Sequence, residues 1–142
     1  STVLYYLVWF IDRRIEMEKN AGFVEIWNSA KAAGIAAGEA VEVAPMVVVA
    51  ADIFNRPVPG ATRHVVEGGP CGFAGVIIRP ANSAFANFIK KNGIGRKSYS
   101  GGVRISIMEF GQSLARKEAM AYAMAGVMQK AGINAYGESR ID

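Results

Sequence analysis

The chain has 142 residues, 51% of them hydrophobic and 20% charged, which predicts one domain with a core and excludes disorder as its main state. A single cysteine and a single histidine exclude an internal disulfide and a tetrahedral zinc site, so neither metal nor cofactor is expected. The net charge of +4 is unevenly spread: residues 1–71 carry 6 basic and 8 acidic side chains, residues 72–142 carry 10 and 4.

The longest apolar run, Val3 to Ile11, has nine residues, about half of what a membrane-spanning helix needs. With no basic segment before it and no small-residue cleavage site after it, it does not read as a signal peptide, and no membrane partner is expected. Its aromatic and β-branched content, apolar on both alternating faces, predicts a central strand ended by Asp12. A helix follows, most secure from Ala21 to Ala33, where Phe23, Ile26, Trp27 and Ala30 share one stripe. A strand is expected from about Val41 to Ala51, interrupted at Pro45, and residues 52–63, with two prolines and a glycine, form a loop.

A short strand from Arg63 to Glu67 leads into the turn Gly68-Gly69-Pro70, and Cys71 to Arg79 is a further strand. Asn82 or Ser83 caps a short helix with Phe85, Phe88 and Ile89 on one face, ended by Gly93. The loop from Gly93 to Gly102 is followed by a strand from Val103 to Phe110, where Val103, Ile105 and Ile107 alternate with Arg104, Ser106 and Met108. Ser113 caps a long helix to about Ala131, and a last strand runs from Ile133 to about Arg140. The order β-α-β-β-β-α-β-α-β predicts a single α+β domain over residues 1–142, a mixed β-sheet covered by about three helices.

Three segments suggest chemistry. The last helix is apolar on every side around Met120, Met124 and Met128; either it meets a second subunit, making the protein a homo-oligomer, or it lies between the sheet and the first helix. Its first turn places Arg116 and Lys117 after the Ser113 cap, where free amides and the helix dipole favour an anion, so a phosphate or a local carboxylate (Glu109 or Glu118) would offset the repulsion. The turn around Arg96, Lys97 and Tyr99 combines cations, hydroxyls and a ring suited to phosphate contact and base stacking; the plainer alternative is an exposed turn. No aromatic–basic sheet motif, zinc knuckle or GXXG clamp is legible beside it.

Phosphate-loop, dinucleotide, nucleophile-elbow and zinc-protease motifs are absent. Cys71 and His64 are the one possible thiol–imidazole pair, a remote basis for a small enzyme, and Asp52, Glu67 and Glu109 would form a carboxylate cluster only if the fold gathered them.

The C-terminal half, residues 70–142, resembles small uncharacterised proteins encoded by tailed bacteriophages and prophages. The resemblance rests on Cys71-Gly72-Phe73-Ala74, Phe85-Ala86-Asn87-Phe88, the turn Arg96 to Gly102, the segment Gly111 to Ala123 and the ending Ala131 to Asp142. It implies a viral source, placing the protein in the host cytoplasm or in a virion rather than in secretion, and it implies no activity. The expectation is a non-enzymatic, self-associating binding protein whose basic C-terminal half engages nucleic acid or a phosphorylated small molecule. A structural or assembly component of a virion is the alternative.

Overall fold

The computed structural model describes residues 2–42, 46–61, 64–66 and 69–142. The opening segment is helical, not a strand: α1 spans Thr2–Ala40 and contains both the apolar run and the expected helix around Ala21–Ala33. The reason is local. No proline interrupts the first 40 residues, and once a helix exists each added residue gains a hydrogen bond, whereas a strand needs a neighbour for its ladder groups. Asp12 lies inside the helix and ends nothing.

Two short strands follow, β1 (Met46–Val48) and β2 (His64–Val66), paired antiparallel as a separate two-stranded ribbon. The intervening loop is organised by Asp52, whose Oδ1 accepts from the Phe54 and Arg56 N–H groups at 2.9 and 3.0 Å. Pro45, Arg63, Glu67 and Gly68, which belong to the expected strands and turn, lie outside the described residues.

The remaining chain forms β3 (Gly72–Ile78), α2 (Ala84–Lys91), β4 (Arg96–Lys97), β5 (Val103–Ser106), α3 (Leu114–Lys130) and β6 (Ala135–Ile141). Their sheet has the order β4-β5-β3-β6. The α+β class and its three helices are as expected, but the sheet, expected to be mixed, has only antiparallel neighbours. Each of the units β3-α2-β4 and β5-α3-β6 returns its chain parallel to its own start, with a strand of the other unit between the two. This is the split βαβ arrangement. β4, two residues long, falls in the stretch expected to be loop.

Both helices lie behind one face of this sheet. Ala74, Val76 and Ile78 of β3 and Val103 and Ile105 of β5 meet Phe85, Phe88 and Ile89 of α2 and Met120, Met124 and Met128 of α3 in one buried cluster. Ser83 caps α2, its Oγ accepting from the Ala86 N–H. The C-terminal half of α1 then packs over α3. Contact there is close because Gly34 presents no side chain: a Cβ at that position would lie 2.6 Å from Met124 Cγ. Phe23 meets Phe85 and Phe88 edge-on and tilted, with ring centroids 5.4 and 5.6 Å apart.

The methionines expected at a subunit interface are therefore interior. Met120, Met124 and Met128 are fully buried within the chain, between the sheet and α1. A helix apolar all round needs cover all round, and α1 supplies the second cover.

Candidate anion-binding face

Residues paired directly across a sheet point to the same side. The register places Phe73, Gly75 and Ile77 of β3 with Arg140, Glu138 and Tyr136 of β6, and pairs Gly75 and Ile77 with Ser106 and Arg104 of β5. Arg96 of β4 stands opposite Arg104. These residues form the face that no helix covers.

Ile77 is buried between its neighbours, while Phe73, near the start of β3, remains 39% exposed. Gly75 leaves a gap that Arg104 uses: a Cβ there would lie 3.0 Å from the Arg104 Cζ. The guanidinium thereby crosses β3 to an ion pair with Glu138 on the far strand. Burial, and next the charge of Arg140, pull the Arg104 guanidinium below its usual range. The face carries more positive charge than its own carboxylate neutralises.

A groove of about 870 Å³ runs over this face. Its lining includes Arg96, Lys97, Arg104 and Arg140, against Glu138 as the one carboxylate. Tyr99 stands wholly in solvent at its rim. The turn that carries Tyr99 is held by Arg79, whose Nη2 donates to the Ser100 carbonyl at 3.5 Å and whose Nε donates to the Tyr136 hydroxyl at 3.0 Å. The Ser98 and Ser100 hydroxyls lie 3.2 Å apart.

Phe73 joins the groove to the start of α3. The Arg140 guanidinium lies 5.2 Å from the Phe73 ring centroid and the Lys117 ammonium 5.9 Å from it. Lys117 is only 7% exposed and borders a second cavity of about 460 Å³, which shares Phe73, Arg104, Ser106 and Met108 with the groove. Among the described residues Lys117 faces no carboxylate within ion-pair distance.

The structure thus brings Arg96, Lys97 and Tyr99 onto one groove and adds Lys117 at its end through Phe73. Ser113 and Arg116 do not join them. The Ser113 Oγ caps α3 by accepting from the Arg116 N–H at 3.4 Å, and the Leu114 N–H donates to the Pro70 carbonyl at 3.1 Å. Amides expected to hold an anion at this helix start are already occupied by the chain itself. Neither suggested carboxylate compensates the first turn: Glu109 pairs with Lys31 of α1, and Glu118 accepts from the Ser139 hydroxyl at 3.0 Å.

The chain matches no protein family, no curated protein and no solved structure.

Sequence reasoning missed Phe73, Arg104, Tyr136 and Arg140. They come from β3, β5 and β6, far apart in the chain, and only the pairing of these three strands makes them neighbours. The alternation of Arg104 and Ser106 against Val103 and Ile105 was the available signal, since it marks a polar face on a strand with an apolar back.

Of the three carboxylates considered for a cluster, Glu67 lies outside the described residues, and Asp52 and Glu109 have separate partners, Arg56 and Lys31. Burial raises the Glu109 carboxyl, but the hydrogen bond and charge of Lys31, with N–H donation from its own and the Met108 backbone, hold it below the usual glutamate range. Asp52 is held low chiefly by the Arg56 backbone N–H, and its Oδ2 accepts from Arg56 Nε at 3.0 Å. Among the described residues no His, Cys, Asp and Glu cluster suits a metal ion. Cys71 is exposed and bridges to Ser113 through its backbone; the His64 side chain lies outside the described residues.

Proposed function

We propose that the protein is a non-enzymatic, self-associating binding protein of the kind that tailed phages encode, and that its open sheet face engages an anionic partner, nucleic acid ahead of a phosphorylated small molecule. One observation carries the reading: the groove over the helix-free face is lined by four cations and one carboxylate, with an exposed aromatic ring between them. Such a field attracts phosphates, and the ring adds an apolar contact that a merely solvated basic surface lacks.

The test is the salt dependence of polyanion binding. Affinity for an oligonucleotide falls steeply as salt rises, because each phosphate neutralised releases counterions. Reversing Arg96 and Lys97 to glutamate lowers the affinity and flattens the dependence by about one unit of slope for each phosphate that is no longer neutralised. Unchanged binding in that variant removes the groove from the reading.

A second reading, an assembly component of a virion, is favoured by a different observation. Val3 to Ile11 of α1 is apolar all round, and Tyr5, Phe10 and Ile11 are more than half exposed. With Met120, Met124 and Met128 interior, this outer part of α1 takes over as the surface for self-association. No described helix is long and apolar enough to cross a membrane. Light scattering on the full chain and on a Leu7→Glu, Phe10→Glu variant tests it. Large assemblies that the variant dissolves, with no affinity for nucleic acid, support the assembly reading; a monomer in both proteins overturns it.

A further inference from the structure

Resting on the reading of the open face as anion-binding, we infer that its partner is single-stranded nucleic acid, one base of which stacks at Phe73 between phosphates held by Arg140 and Lys117. Three independent features of the face converge on this. The ring belongs to β3, one of the two central strands, near its first residues, and is 39% exposed on the helix-free face. Its neighbours are two cations from different elements, Arg140 of β6 and Lys117 of α3, at 5.2 and 5.9 Å from the ring centroid. Lys117 is more than nine-tenths buried yet meets no carboxylate among the described residues, and it borders a cavity that shares Phe73 with the groove.

Lys117 is largely buried as a residue, but its ammonium is not sealed from solvent and meets the Phe73 ring by a cation–π contact beside the cavity. A phosphate entering the cavity gives it a counter-charge that the ring does not supply. Arg140 is exposed, and among the described residues it makes no ion pair, so it can lie against a base or a phosphate as the strand settles.

The geometry favours an unpaired strand over a duplex. Bases inside a duplex have no free face to offer the ring, whereas single strands splay their bases onto aromatic platforms along a basic groove. Four-stranded antiparallel sheets with helices behind and aromatics on the open face are one general solution to that task. From β4 to β6 the face spans three strand spacings, about 14 Å, with Arg96 at one edge and Arg140 at the other. A polyanion without bases uses the cations but gains nothing from the ring.

The deciding experiment is fluorescence anisotropy of a short labelled oligothymidine against the full chain, with inorganic polyphosphate and a duplex of equal length as competitors. We expect oligothymidine to bind more tightly than either competitor at equal phosphate concentration. Phe73→Ala should weaken it about ten-fold, within the range found for one stacked base, while leaving the salt slope unchanged. Phe73→Trp should restore binding, which separates stacking from a loss of folding. If Phe73→Ala binds as the parent does, or Phe73→Trp binds as weakly as Phe73→Ala, stacking is overturned. If polyphosphate or duplex competes as well as oligothymidine, the single-strand assignment falls and the anion-binding reading stands. If none of the three polyanions binds, both fall.

Discussion

Two glycines of the long helices have opposite surroundings. At Gly34 an added Cβ would lie 2.6 Å from Met124 Cγ and 2.9 Å from Met120 Cγ; at Gly126 nothing lies within 4 Å. Gly34→Val should therefore destabilise by about 1–3 kcal/mol through overpacking between α1 and α3. Gly126→Ala should stabilise by up to about 1 kcal/mol, because helical alanine loses less backbone entropy. Thermal unfolding of the two variants checks both, and the expected shifts have opposite sign. Neither effect is visible in sequence, where both residues are glycines in apolar helical stretches. The caps were visible: Ser83 and Ser113 act through hydrogen bonds to the next turn, which need no tertiary partner.

The behaviour of α1 divides along its length. Residues 22–40 include the stripe that meets α2 and α3, whereas residues 2–21 are all exposed. Deleting residues 1–20 should leave the midpoint of thermal unfolding within a few degrees of the full chain, since the deleted helix covers none of the core. Light scattering on the same protein should show a lower mass wherever the full chain assembles. The inner part of α1 is also tied by Lys31 to Glu109, which follows β5. The Glu109 carboxyl is held below its ordinary value in the folded chain, so the stability it contributes is present above that value and is lost as pH falls through the folded one. Glu109→Gln should cost up to about 1 kcal/mol at neutral pH, the pair being partly exposed, and the difference should vanish in acid. Urea unfolding of the two proteins at neutral and at strongly acidic pH reads both numbers.

At the scale of the whole molecule, the split βαβ order converts a lopsided charge distribution into a face. Arg96, Arg104 and Arg140 come from three different strands, and the order β4-β5-β3-β6 sets them on one surface, because pairing gives them a common side. Glu138 is the carboxylate that moderates this face through Arg104. Glu138→Gln should tighten oligonucleotide binding about two- to five-fold at low salt, the value of one partly exposed charge, and the gain should fade as salt rises. Anisotropy titrations at two ionic strengths check this; weaker binding would show that Glu138 matters more for aiming Arg104 than for its charge.

Sequence by itself determined the elements whose signals are local: the Ser83 and Ser113 caps, the strands around Gly72–Ile78 and Val103–Ser106, the helix stripe of Phe23, Ile26, Trp27 and Ala30, and the α+β class. It also placed Arg96, Lys97 and Tyr99 as a basic, aromatic turn. The opening run reads as a strand and folds as a helix because a continuous apolar stretch has no period, and period is what separates the two. Only the tertiary structure decided that Met120, Met124 and Met128 are interior, that amides at the start of α3 are already satisfied, and that Phe73 stands between Arg140 and Lys117. Those facts depend on which strand pairs with which and on what covers each helix. Such long-range neighbours leave no mark at any fixed spacing along the chain.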